Sequence, residues 1–183
     1  MSVNVKRKGA RGELDWASKC REHGYNDARR GVQYDGSAGN PDVVGLPYIH
    51  AEVKRVEDFR LYPSLRQSIR DAREGEVPII AHRKNRHRWV VVTLLSDWTT
   101  MDCVAGQSSG FPLINPLVRD GRLSLYDALD DSRAASVRDQ IPIVVYRLTD
   151  NEPWVVIVDA DDWFTIYREW EASKSLEGGE RRA

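Results

Sequence analysis

Asp42-Val-Val-Gly-Leu46-Pro47-Tyr48-Ile-His50-Ala51-Glu52-Val53-Lys54 is the stretch that decides how this chain reads. Two runs with strand character, Asp42 to Leu46 and Tyr48 to Arg55, meet at Pro47. A hairpin closed symmetrically around Pro47 sets Asp42 directly opposite Glu52, with β-carbons about 5 Å apart on one face. Lys54 lies two positions further on and shares that face, whereas Ala51 and Val53 point the other way, toward a core. Two carboxylates and an ammonium thus converge on one side of a sheet. Carboxylate oxygens suit a hard divalent cation such as Mg²⁺, which keeps several waters when bound. The string Glu52-Val53-Lys54 alone is weak evidence, because short acid-x-Lys strings recur by chance.

A helix is expected upstream, from about Gly9 to Glu22, behind a mobile basic arm at residues 1–8. Ala10, Leu14, Ala17 and Cys20, with Trp16 beside them, recur at helical spacing. Glu13 falls on the same side. A carboxylate on an apolar face is costly without a cation or partner, so Glu13 is a candidate third acid; the alternative is a helix-edge glutamate reaching solvent.

Downstream, Arg29 to Tyr34 reads as a short strand and Asp35 to Pro41 as a loop. A second helix is expected from Pro63 to Arg73, with an apolar stripe of Leu61, Leu65, Ile69 and Ala72, ending at Gly75. Val77 to His82 and Trp89 to Leu94 are strands rich in Val and Ile, joined by the basic tip Arg83-Lys-Asn-Arg-His-Arg88. Alternating helices and strands indicate an α/β architecture.

Part of this pattern recurs. Leu61, Tyr62, Leu65, Pro78, Ile79 and Arg83 reappear 64 positions later as Leu125, Tyr126, Leu129, Pro142, Ile143 and Arg147. Trp89, Asp97 and Trp98 match Trp154, Asp162 and Trp163 at an offset of 65. The expectation is a partial duplication of a helix-strand-strand-helix unit. Its second copy has an acidic tip, Leu148 to Pro153, and lacks counterparts of Asp42 and of Glu52-Val-Lys54. Ala105 to Gly121, rich in Gly, Ser and Pro, reads as a linker.

Composition narrows the class. The 183 residues carry a net charge of −1 and are 30% charged, with no apolar run approaching the roughly 18 residues of a membrane span. The basic start has no apolar stretch behind it, so no secretory signal is expected. Cys20 and Cys103 lack metal-binding spacing and read as reduced thiols of a cytoplasmic protein. Residues 1–100 carry 18 Lys and Arg against 13 Asp and Glu, whereas residues 101–183 carry 9 against 15. A basic first half joined to an acidic second half places any polyanion contact in the first. Lys6, Arg7, Lys8, Arg11, Arg29, Arg30, Arg83, Lys84, Arg86 and Arg88 are the candidate DNA contacts, of the phosphate-binding, sequence-independent kind. The bland alternative is a solvated charged face. His23, His50, His82 and His87 form no metal spacing, and the six tryptophans read mostly as core.

Lys8-Gly-Ala-Arg-Gly-Glu13, Arg29-Arg-Gly31, Asn40-Pro-Asp-Val-Val-Gly-Leu46 and His50-Ala-Glu-Val-Lys-Arg55, in that order, resemble the Holliday-junction-resolvase-like branch of the PD-(D/E)xK nucleases. Endonucleases of this type are common in bacteriophages and prophages. The likeness continues through the helix with Gln67 and the strand Pro78 to His82, and so covers about residues 6–100. It implies a restriction-endonuclease-like mixed sheet flanked by helices. It implies that Asp42 and Glu52, with the carbonyl of Val53, hold Mg²⁺ or Mn²⁺. Glu13 would be the acid of the first motif, acting directly or through water. Lys54 would orient the attacking water and stabilise charge on the phosphorane, with Gln67 as a helix-borne polar residue near the site. Phosphodiester hydrolysis needs an activated water, a Lewis acid and a positioned cation, and the expected products are a 5′-phosphate and a 3′-hydroxyl.

The implied layout is a nuclease core at 1–101, a linker at 102–121, a degenerate repeat at 122–172 and a tail at 173–183. The leading expectation is a structure-selective DNA endonuclease working on branched DNA in a bacterial cytoplasm, as a two-fold homodimer or as a monomer completed by its own repeat. A less selective nuclease for ends, nicks or foreign DNA is a second reading. A DNA-binding assembly protein with a vestigial site is a third.

Overall fold

The computed structural model describes residues 3–31, 39–106 and 112–180, without the side chains of 3–6 and 177–180. These residues form eight strands and five helices in an α/β arrangement. The chain divides into two compact units, residues 1–92 and 93–183. No helix among the described residues is long and apolar enough to cross a membrane. Cys20 is buried, Cys103 is exposed, and both are free thiols.

The first unit contains α1 (Val3–Glu22), β1 (Arg29–Arg30), β2 (Val43–Val44), β3 (Ile49–Lys54), α2 (Leu61–Asp71), β4 (Val77–His82) and β5 (Val90–Leu94). The last two residues of β5 belong to the second unit. Its strands lie in the order β1-β2-β3-β4-β5. The β1–β2 and β2–β3 pairs are antiparallel and β3–β4 is parallel, so this sheet is mixed. Helix α1 packs on β1, β2 and β3, and α2 on β3 and β4. Ile49 to Val53 and Pro78 to His82 are buried without a break, as expected of parallel strands covered on both faces. Trp16 and Trp89 meet in the core with ring centroids 5.2 Å apart.

Several expectations need correction. Helix α1 begins at Val3, so most of the segment read as a mobile arm is helical. No helix breaker precedes Gly9, and Lys and Arg are good helix formers. Leu14, assigned to the inward stripe, is 56% exposed, while Trp16, Ala17 and Cys20 are buried. On α2 the buried face is Tyr62, Ser64, Leu65 and Ser68, and Ile69 is 41% exposed. Ser68 is tolerated inside because its hydroxyl donates to the Ile79 carbonyl at 3.2 Å. Strand β1 covers only Arg29 and Arg30. Residues 32–34, the rest of that expected strand, and 35–38 of the expected loop lie outside the described residues. Strand β2 is also brief, because Gly45 at φ +97° leaves extended geometry.

The second unit contains α3 (Leu95–Ala105), β6 (Leu113–Asp120), α4 (Leu125–Ala135), β7 (Gln140–Arg147), β8 (Val155–Asp159) and α5 (Ala160–Glu180). Strand β6 runs parallel to β7, and β7 antiparallel to β8. Helix α5 packs on α3 and β8 through buried Trp163, Phe164, Tyr167 and Trp170. Residues 113–120, read from composition as linker, are therefore a strand, and α5 extends through most of the segment read as a tail. Pro116 concealed that strand. The Gly121 N–H donates to the Arg147 carbonyl at 3.2 Å, so by alternation the odd residues of β6 bond to β7. Pro116, an even position, turns its missing N–H to the outer edge, where proline is tolerated.

The two units share internal geometry. In each, a strand, a helix and a parallel strand are followed by a further strand. Ser132 donates to the Ile143 carbonyl at 3.0 Å, matching Ser68 and Ile79 at an offset of 64. The Arg83 guanidinium lies 5.8 Å from the Trp89 ring centroid, and Arg147 lies 4.5 Å from Trp154. Strand β6 thus occupies in the second unit the topological place of β3 in the first. Ala51 pairs with Ile79, and Pro116 with Ile143. By that register Leu117 stands where β3 has Glu52, and Arg119 where it has Lys54. Strand β6 therefore carries no carboxylate at the register of Glu52.

Candidate functional site

Strand β3 and the segment entering β2 build the candidate site. Val43 pairs with Ala51, the register of a hairpin centred on residue 47, and the Asp42 N–H donates to the Ala51 carbonyl at 2.9 Å. The Asp42 carboxylate then accepts the Val53 N–H at 2.8 Å. The N–H and C=O of one strand residue point to the same edge, so the Val53 carbonyl faces the Asp42 side of β3. The next residue faces the other way, its carbonyl accepting the Arg83 N–H of the neighbouring segment at 3.0 Å.

Glycines allow the close approaches this requires. A β-carbon at Gly31 would stand 2.2 Å from the Pro41 carbonyl oxygen, while the Gly31 N–H donates to the Asp42 carbonyl at 2.8 Å. The segment carrying Asp42 can therefore lie flat against the end of β1. A β-carbon at Gly12 would meet the Arg55 side chain at 2.8 Å, so Gly12 lets α1 settle at the end of β3 and brings Glu13 to the sheet.

The charges form a chain of contacts. Glu52 is only 4% exposed, and its carboxylate accepts a hydrogen bond from the Lys54 ammonium. Lys54 Nζ also lies 3.3 Å from Gln67 Oε1 of α2. Glu13 is ion-paired with the Arg30 guanidinium of β1. Asp42 responds to this setting: its carboxyl is pushed up from 3.8 to about 7. Burial is the main cause and the charge of Glu52 the next. The Val53 N–H and the Lys54 ammonium pull it back down, while Glu13 pushes it further up. Glu13, Asp42, Glu52, Lys54 and Gln67 are thus one neighbourhood. Among the described residues, no three His, Cys, Asp or Glu side chains stand together as a ready-made metal cage. The groups that could hold a cation are the Asp42 and Glu52 carboxylates with the Val53 carbonyl, and Glu13 if it leaves Arg30.

The candidate DNA contacts spread more widely. Arg7, Lys8 and Arg11 are exposed on α1, and Lys8 lies 3.9 Å from Glu57; the Lys6 side chain lies outside the described residues. Arg29 and Arg30 are exposed on β1. At the tip between β4 and β5, Arg86 is exposed at φ +62°, and Lys84 and Arg88 are half-buried. Arg83 is tied to the His87 carbonyl at 3.0 Å and to the Trp89 ring. His50 is wholly buried, with Nδ1 3.5 Å from Glu76, and so does not line an open site. His82 stacks on Phe59 at 4.0 Å.

Reading the sequence alone missed the partnership of Arg30 with Glu13. Arg30 was assigned only to the DNA surface, and no local spacing links positions 17 residues apart. The Arg-Arg-Gly triplet was the available signal, since Gly31 places Arg30 next to the Asp42 segment. No family model, curated protein or solved structure matches this chain.

Proposed function

We propose that this protein is a divalent-cation-dependent DNA endonuclease with a restriction-endonuclease-like core, selective for branched DNA in the manner of a Holliday junction resolvase. One observation carries the reading. Asp42, Glu52 and Lys54 meet at one end of β3, with Asp42 seated on the Val53 N–H. Burial and neighbouring carboxylates leave negative charge there under-compensated, as the raised Asp42 pKa reflects. A hard dication fits that donor set.

Asp42, Glu52 and the Val53 carbonyl would hold Mg²⁺ or Mn²⁺, with Glu13 joining directly or through water. The bound cation supplies Lewis acidity at the phosphoryl oxygen and makes water more acidic. The rest falls to the chain itself. Lys54 carries a fixed positive charge beside Glu52 and stabilises the charge that builds on the phosphorane. Gln67 limits where that ammonium can move. The exposed arginines of β1 and of the β4–β5 tip position the backbone phosphates. The second unit, which we read as a degenerate repeat of the first, has Leu117 at the Glu52 position and an acidic tip with Asp150 and Glu152. It contributes neither catalysis nor phosphate binding.

The test is cleavage of a panel of four-way junction, flap, nicked and linear DNA with Mg²⁺ or Mn²⁺, beside Asp42→Ala. Symmetric cuts in the four-way junction, lost in the variant, are expected. Equal cutting of all substrates would make it an unselective nuclease. Binding without metal-dependent cleavage would leave an assembly protein.

A further inference from the structure

Glu13 and Arg30 form the one ion pair of the site that joins α1 to β1 among the described residues. The two partners are unequally placed: the Glu13 side chain is 13% exposed and Arg30 is 44% exposed. Strand pairing sets Arg30 opposite Val43, one residue from Asp42. Glu13 is close enough to Asp42 for its charge to be felt there. Three acidic side chains, Glu13, Asp42 and Glu52, thus face only two side-chain cations, Arg30 and Lys54. Lys54 is further held by Gln67, whereas Arg30 has a long side chain with solvent beside it.

We infer that Arg30 holds the Glu13 carboxylate in place of a divalent cation, and that an arriving cation displaces it to bind a DNA backbone phosphate. The inference rests on the metal-site reading above and adds a coupling to it. A carboxylate oxygen given to a guanidinium is unavailable to a metal, so cation and Arg30 compete for Glu13. Once displaced, the guanidinium remains anchored on β1 beside the site. The local charge then changes from three acids facing two cations to three acids facing a dication, Lys54 and a released arginine. That balance suits an incoming phosphodiester, and guanidinium groups bind phosphate oxygens in bidentate fashion. Arg30 is on this account a positioning residue that favours DNA binding to the metal-loaded enzyme.

Two measurements without catalysis test the coupling. The first is Mn²⁺ affinity by calorimetry, without DNA, in the wild type, Arg30→Gln, Glu13→Gln, the double variant and Asp42→Asn. Removing Arg30 should tighten Mn²⁺ binding about two- to fivefold, the scale of a lost ion pair of this exposure. The gain should vanish when Glu13→Gln is also present. The second is four-way junction affinity with and without Ca²⁺. The wild type should bind more tightly in Ca²⁺, and Arg30→Gln should lose that gain. Arg30→Lys, which keeps the charge but not the fork, should give intermediate values in both; it also serves if the Gln variant folds poorly by circular dichroism. Mn²⁺ binding that Asp42→Asn abolishes but Arg30→Gln leaves unchanged or weakens would overturn the coupling and leave the metal-site reading standing. No Mn²⁺ binding by the wild type would overturn both.

Discussion

The Asp42 carboxylate accepts the main-chain N–H of Val53 at 2.8 Å. This bond joins the segment that enters β2 to the long strand that carries Glu52 and Lys54. It holds Asp42 in a buried position where its carboxyl rises from 3.8 to about 7. Between those values the folded chain keeps a proton that the unfolded chain has released. The contribution of Asp42 to stability is therefore full below about pH 4 and is lost as pH rises toward 7. Asn at this position keeps an acceptor for Val53 and removes the charge. Asp42→Asn should raise the melting temperature at pH 8, by about 2–4 °C per kcal/mol relieved, and leave it nearly unchanged at pH 4. Thermal unfolding across that range checks this, and an equal shift at both pH values would refute it.

Lys54 and Gln67 should separate by size of effect. Lys54→Ala removes the ammonium beside Glu52 and should lower kcat by about 10²–10³-fold, with substrate affinity little altered. Gln67→Ala only loosens Lys54 and should cost about tenfold. Single-turnover cleavage resolves the two, and a Gln67 loss as large as that of Lys54 would give Gln67 a direct role.

Gly31→Ala adds one methyl group where 2.2 Å separates the new carbon from the Pro41 oxygen. Backbone must shift, and overpacking of this kind costs about 1–3 kcal/mol. Since the displaced segment is the one carrying Asp42, Mn²⁺ affinity should fall together with melting temperature. Unchanged metal affinity in a destabilised variant would show that the Asp42 segment does not depend on this approach.

The tip between β4 and β5 offers a test by salt. Neutralising Lys84 and Arg86 should weaken DNA binding for all sequences alike. Each lost phosphate contact should flatten the plot of log affinity against log salt by about one unit of slope. Replacing Asp150 and Glu152 of the second unit by Ser should leave that slope unchanged.

How much of this was legible beforehand follows the range of the forces involved. The register of β2 on β3 could be read because Pro47 marks the centre of a local hairpin, and strand β4 was located from its own apolar run. The inward face of α1 was misjudged at Leu14, and that of α2 at Ile69, because helical spacing alone does not say which of two adjacent stripes meets the sheet. Ser68 and Ser132 were invisible as core residues, since their burial depends on carbonyls supplied by distant strands. Strand β6 was mistaken for linker because Pro116 argues against a strand unless one edge is known to be unpaired. At the site, the sequence placed Asp42, Glu52 and Lys54 together, but the Arg30 contact of Glu13 required the tertiary fold.

Pro116 bears on how this protein behaves when crowded. Strand β6 is eight residues long, and Leu113 and Val118 are 71% and 58% exposed. A strand with such a rim is a template on which other chains polymerise. The proline interrupts the row of donors at its middle, and Asp120 adds a charge near its end. Solubility at high concentration thus hangs on a residue far in sequence from every candidate catalytic group. Pro116→Val, which restores a donor and a strand-forming side chain, should aggregate at concentrations where the wild type stays clear by light scattering, while cleaving DNA normally when dilute.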